Sequence, residues 1–169
     1  PAEAHAILRR LCFDLIGMPP TLEFTSQFHR AWKEDPDKAI QTAADRLLAS
    51  PQFGERWGRH WLDVARYAES NGKGANQSFP NAWRYRDYVI DSINADRPIN
   101  QFISEQLAGD LLPAGSDADR QENLIATGFL AIGPKDLREK SRRQFTMEMI
   151  DEQINATSTA FLGLTVSCA

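Results

Sequence analysis

FGERWGRHWLDVARYAES, residues Phe53 to Ser70, sorts its side chains at helical spacing and not at the alternation of a strand. Trp57, Trp61, Val64, Ala65 and Ala68 recur at steps of three and four, the apolar stripe of an amphipathic helix. Arg56, His60, Asp63 and Tyr67 recur at four, three and four, which puts them on an adjoining polar stripe. A helix anchored by two indoles can hold such a row at a fixed place. The row is therefore the first candidate site.

The same three-four rhythm runs outward in both directions. Ile7, Leu8, Leu11, Cys12 and Leu15 mark a helix that Gly17 and Pro19-Pro20 end. Thr21 caps a second helix carrying Leu22, Phe24, Phe28 and Trp32. Asp35-Pro36 and Ser50-Pro51 start the next two, Pro at the first helical position. Between Asn71 and Pro80 the rhythm gives way to a loop rich in Gly, Asn and Ser. Helices are then predicted from Asn81 to Asp96, from Gln101 to Ala108 after an Asn100 cap, and near Asp119 to Leu130. The last and longest covers about Ser141 to Leu162, with Phe145, Met149, Ile150, Ile154, Thr157 and Phe161 inward and Gly163 as its stop. LTVSC beyond it reads as extended. No stretch alternates convincingly, so the expectation is an all-α fold, an irregular bundle of seven or eight helices.

At 169 residues the chain fits one compact domain, 1–169. Its hydrophobic share of 42% and charged share of 25% are those of a globular protein. A net charge of −4 argues against nucleic acid as the main partner, because phosphate binding needs a basic face. No apolar run approaches the roughly 20 residues of a membrane span. Pro1 opens into PAEAHAILRR without the basic and apolar regions of a signal peptide, and the abrupt start and stop read as a fragment of a longer polypeptide. Two cysteines, Cys12 and Cys168, are too few for a disulfide framework. Cys12 lies in an apolar stripe and reads as a small core residue.

The candidate residues have bland readings beside their sharp ones. In one, Arg59 and Asp63 form an i,i+4 surface pair contributing about 0.3–0.5 kcal/mol, with His60 bonded locally. In the other, His60 and Asp63 form a polar pocket beside loop 71–80, Asp63 orienting an imidazole that titrates near neutral pH. The loop with Trp83 and Tyr85 suggests a carbohydrate platform in which Asn76 supplies an amide and the two rings supply faces; alternatively it is a solvated connector and both rings are core. His5, His29 and His60 fall on separate helices without metal-ligand spacing, so no metal is expected. Lys135 to Arg143, KDLREKSRR, reads as a solvated charged face.

Five strings, RRLCFDLIGMPPT, DRLLASPQFGERWGRHWLDVARYAES, NAWRYRDYVIDSINAD, QFISEQLAGDLLP and DEQINATSTAFLGLTVSCA, resemble the planctomycete-type secreted cytochrome-associated proteins, in their central helical domain of unknown function. The resemblance runs nearly end to end. It implies export to the periplasm or cell exterior, neighbouring cytochrome and C-terminal domains as partners, and a connection with polysaccharide degradation. In that family LTVSCA leads into a CxxCH haem-attachment motif, which would make Cys168 the first thioether cysteine. The chain as it stands would carry no cofactor, and haem c would belong to the full-length protein.

Three functions follow as expectations. The first is a helical module of an exported protein linked to a c-type cytochrome, serving redox chemistry in polysaccharide breakdown. The second is a non-catalytic scaffold or glycan-binding module. The third, ranked last, is a hydrolase or lyase using His60 and Asp63.

Overall fold

The computed structural model describes residues 2–72 and 76–166. The fold is all-α, as the spacing predicts: among the described residues there are eight α-helices of ten residues or more and no strand, only an isolated bridge between Ser70 and Ser78. The chain divides into two compact units, Pro1–Arg59 with Ile90–Asp96, and His60–Val89 with Arg97–Ala169. The division falls inside two helices, α4 (Pro51–Val64) and α5 (Ala82–Asn94). No helix among the described residues is long and apolar enough to cross a membrane.

The first unit contains α1 (Ala4–Ile16), α2 (Leu22–Glu34) and α3 (Pro36–Leu48). Their apolar stripes close on one another: Leu8, Cys12, Phe24, Phe28, Ala39, Ala43 and Leu47 are buried, with Trp32 and Ile40 packed against them. Cys12 is a buried free thiol whose pKa burial raises. The predicted punctuation is present in atomic detail. The Thr21 hydroxyl accepts from Phe24 N–H at 3.1 Å and the Asp35 carboxylate from Lys38 N–H at 3.1 Å. Gly17 ends α1 at φ 72°, where a side chain would be strained and would also meet Arg56.

Also in this unit, the start of α4 lies against the last turn of α5. Gly54 makes the close approach: its N–H donates to Asn94 Oδ1 at 2.8 Å, and Asn94 Nδ2 donates to the Pro51 carbonyl at 3.1 Å. A Cβ on Gly54 would sit 2.5 Å from the Ile90 carbonyl oxygen.

The second unit is built on aromatic rings. Trp61 lies 4.9 Å from Phe102 edge to face, 5.7 Å from Phe129 and 5.8 Å from Phe161. These rings come from α4, α6 (Ile99–Ala108), α8 (Gly128–Ala131) and α9 (Arg142–Leu162). The helix expected near Asp119 to Leu130 is two, α7 (Asp117–Ala126) and the single turn α8. Just after the break, a Cβ on Gly128 would meet the Tyr85 ring at 2.9 Å, so the close approach of chain and ring there needs glycine.

Beside these rings, Glu105 on α6 accepts from Tyr88 O–H at 2.6 Å and Gln101 Nε2 at 2.7 Å, and pairs with Arg97. Arg97 also reaches Glu122 at 2.6 Å. Burial alone would raise the Glu105 carboxyl, but these donors together hold it below the ordinary carboxylate range.

Gly54→Ala tests the close approach in the first unit. Although alanine is the better helix former, overpacking should lower the unfolding free energy by about 2 kcal/mol. Urea titration followed by circular dichroism checks this, and an unchanged or raised midpoint would rule out the tight contact.

Candidate functional site

The predicted polar row is cut short: Arg56, His60 and Asp63 lie on α4, which ends at Val64, before Tyr67. His60 and Asp63 are exposed. Tyr67 donates to Glu69 Oε1 at 3.0 Å, and burial together with that carboxylate pushes its pKa up to about 12.

The carbohydrate platform is also divided. Trp83 and Tyr85 are two residues apart on α5, a spacing that puts them on different faces. Trp83 is 45% exposed, with the Arg84 guanidinium 5.4 Å from its ring centre. Tyr85 is 2% exposed and belongs to the core, accepting from Trp61 Nε1 at 2.9 Å and donating to Gln106 Oε1 at 2.6 Å. Asn76 is exposed. Cys168 lies outside the described residues.

What the fold does build is a cavity of about 340 Å³ in the second unit, whose lining includes Arg66, Lys135, Phe145, Glu148, Glu152 and Asn155. Its position follows from how α4 stops. Tyr67 N–H donates to the Leu62 carbonyl at 2.9 Å and Arg66 N–H to the Asp63 carbonyl at 3.2 Å, the double bond pattern of a Schellman ending. The left-handed residue such an ending requires is Arg66, at φ 55°. An arginine there is unusual, since glycine takes this conformation without a Cβ penalty. The turn brings the guanidinium to α9, where Nη1 pairs with the Glu152 carboxylate and also approaches the Glu152 carbonyl at 3.3 Å.

The third side comes from the connector before α9. Asn71 is buried and uses all of its polar groups: Nδ2 donates to the Lys135 carbonyl at 3.0 Å, Oδ1 accepts from Gln77 N–H at 2.8 Å, and its carbonyl accepts from Lys135 N–H at 3.2 Å. Loop 71–80 is thus anchored at its first residue. Lys135 and Asp136, the first two residues of the charged run, line the cavity and are half-buried. Gly133 has Glu152 pressed against it, with no space for a Cβ.

Burial sets the electrostatics. It raises the Glu152 carboxyl even though Arg66 and Lys135 oppose the shift, and it lowers the Lys135 amine, with Glu152 opposing and Arg66 assisting. A raised carboxyl and a lowered amine in one cleft are a common mark of a functional site. Among the described residues no group of three or more His, Cys, Asp or Glu is placed to hold a metal ion.

A family model for PSCyt2, a protein of unknown function (DUF1549), matches residues 1–169. The chain belongs to that family. No curated protein and no solved structure matches it. The family is thus the one the five strings suggested, and its description assigns no activity to the cavity.

Glu152 gives the site a pH signature. Its carboxyl is raised in the folded state, so folding favours the protonated form. The stability this supplies is present below the ordinary carboxylate range and is lost as pH rises through the raised value. Glu152→Gln cannot ionise. Whatever constant penalty it incurs by unpairing Arg66, its stability relative to the unaltered chain should improve from about pH 4 to about pH 7. Urea titrations across that range measure the difference, and a constant difference would contradict the raised carboxyl.

Proposed function

We propose that this chain is a non-catalytic, glycan-binding helical module of an exported protein linked to a c-type cytochrome. The observation that carries the glycan reading is the lining of the second unit's cavity. Sugar hydroxyls donate and accept hydrogen bonds at once, so a sugar site needs planar donors and acceptors side by side, with an aromatic face for the apolar C–H side of the ring. Arg66, Lys135 and Asn155 beside Glu148, Asp151 and Glu152, with Phe145 among them, supply that mixture. The volume falls at the lower end of the roughly 300–1,000 Å³ of small-molecule sites.

Binding is favoured over hydrolysis by the state of the carboxylates. Three of the four carboxylates in the lining have protein partners: Glu152 is paired with Arg66, Glu148 accepts from Gln144 Nε2 at 3.0 Å, and Asp136 accepts from the Arg138 N–H at 3.0 Å. Groups committed to protein partners are poorly placed to act as an acid and base on a substrate. The exported, haem-linked setting rests on the family strings, with the haem expected downstream of Cys168 and the redox chemistry assigned to the neighbouring domains.

Calorimetric titration with neutral and acidic oligosaccharides should show binding that weakens by about ten-fold or more in Phe145→Ala and is unchanged in Trp83→Ala. Loss in Trp83→Ala alone would move the platform to α5. Absence of binding to every oligosaccharide would remove the reading.

A further inference from the structure

Arg66 is only partly used. Both of its interactions, with the Glu152 carboxylate and the Glu152 carbonyl, are made through Nη1. Nε and Nη2 are buried and have no hydrogen-bond partner; neither has Glu152 Oε1, which meets Nη1 only as an ion pair, nor Asn155 Oδ1, three residues beyond Glu152 on α9. Nε–H and Nη2–H are the parallel pair along one edge of a guanidinium, the fork that receives a carboxylate or sulfate with two bonds at once. Buried donors are almost always satisfied, and charged ones most of all, because an unmet donor keeps its full desolvation cost. We infer that the Arg66 fork is the receptor for an oxyanion borne on a sugar, a uronate carboxylate or a sulfate ester, with the Asn155 amide beside it. This rests on the glycan reading and adds the chemical class of the ligand.

The surroundings say how such a group enters. The fork edge is shielded by the protein, so a ligand oxyanion reaches it only as the side chains around Arg66 shift. Glu152 holds the other side of the guanidinium, through Nη1, and lies against Gly133. Asp136, Glu148 and Asp151 also line the cavity, against Arg66 and Lys135 as its cations, so the field disfavours a free anion. An oxyanion carried on a sugar ring that packs on Phe145 brings apolar contact to offset that field. Asn155 suits the role, since its amide turned over presents a donor to the incoming oxygen.

The test is calorimetry on the full chain with matched pairs: oligogalacturonate against its methyl ester, and dextran sulfate against dextran. Free galacturonate and inorganic sulfate are the controls. Arg66→Lys keeps the charge and removes the fork; Asn155→Asp keeps the shape and repels an anion. Circular dichroism verifies that both variants fold. The acidic member of a pair should bind about ten-fold or more tightly than its neutral partner. That ratio should collapse toward one in both variants while affinity for the neutral partner holds. Preference for the galacturonate pair identifies a carboxylate, and preference for the dextran pair a sulfate. Equal affinity within both pairs, or a ratio that survives Arg66→Lys, overturns the inference and leaves the glycan reading standing. Arg66-dependent binding of inorganic sulfate without any glycan supports the fork and overturns the glycan reading. No binding of any probe overturns both.

Discussion

The second unit depends on the packing of one half-buried indole. Trp61 sits among Phe102, Phe129 and Phe161, and its N–H would be an uncompensated polar group without Tyr85. That hydrogen bond ties α4 to α5, and the Tyr85 O–H carries the chain on to Gln106 on α6. Four helices therefore meet around a group that is both a large apolar ring system and a directional donor. The close contact of Gly128 with the Tyr85 ring belongs to the same arrangement.

Two half-buried arginines in this unit differ in how far their donors are satisfied. Arg97 reaches two carboxylates, and Glu105 between Arg97, Tyr88 and Gln101 has each oxygen engaged, so its carboxyl is held below the ordinary range. Such a cluster fixes geometry and leaves little for a ligand to add. Arg66 has one carboxylate, two unmet N–H groups, and a partner whose carboxyl is raised by burial. Both pairs are arginine with glutamate. The number of remaining donors and acceptors, more than the charges, is what assigns them to different roles.

Helix count, helix type and most boundaries were legible because they depend on local chemistry: Thr21, Asp35, Gly17 and Gly163 act within a turn of where they stand. The candidate site was less legible, because stripes at three-four spacing are ambiguous in phase. In α9 the sequence supports Ile150, Ile154, Thr157 and Phe161 as one stripe and Phe145, Met149, Glu152 and Ala156 as another. Hydrophobicity favours counting the isoleucines as inward, yet Ile154 is 54% exposed and Ala156 is buried. The true inner stripe contains a glutamate, which no hydrophobic pattern would select. Tyr85 and Trp83 fail as a pair for a related reason: proximity in sequence suggested one platform, and a separation of two on a helix denies it.

The cavity itself depends on a residue type that the rules of helix ending would pass over. A left-handed stop is read from glycine or asparagine, and α4 has arginine there. The strain of holding Arg66 at positive φ is of the order of 1–3 kcal/mol, and it persists only where the surroundings over-determine it. Those surroundings are the two closing hydrogen bonds from Arg66 and Tyr67, the burial of Ala65 just before the turn, and the guanidinium held by Glu152. A glycine at this position would end the helix with less strain and leave no side chain at the cavity. The arginine costs backbone energy and leaves a charged fork incompletely bonded, two expenses in one residue that helix termination alone does not require. Asn71 then fixes Lys135 from the other side through its own fully used amide, so the cation pair is held by backbone geometry on both flanks. Strain and unmet donors kept together, with the elements around them pinned, are the features on which the proposed ligand site rests.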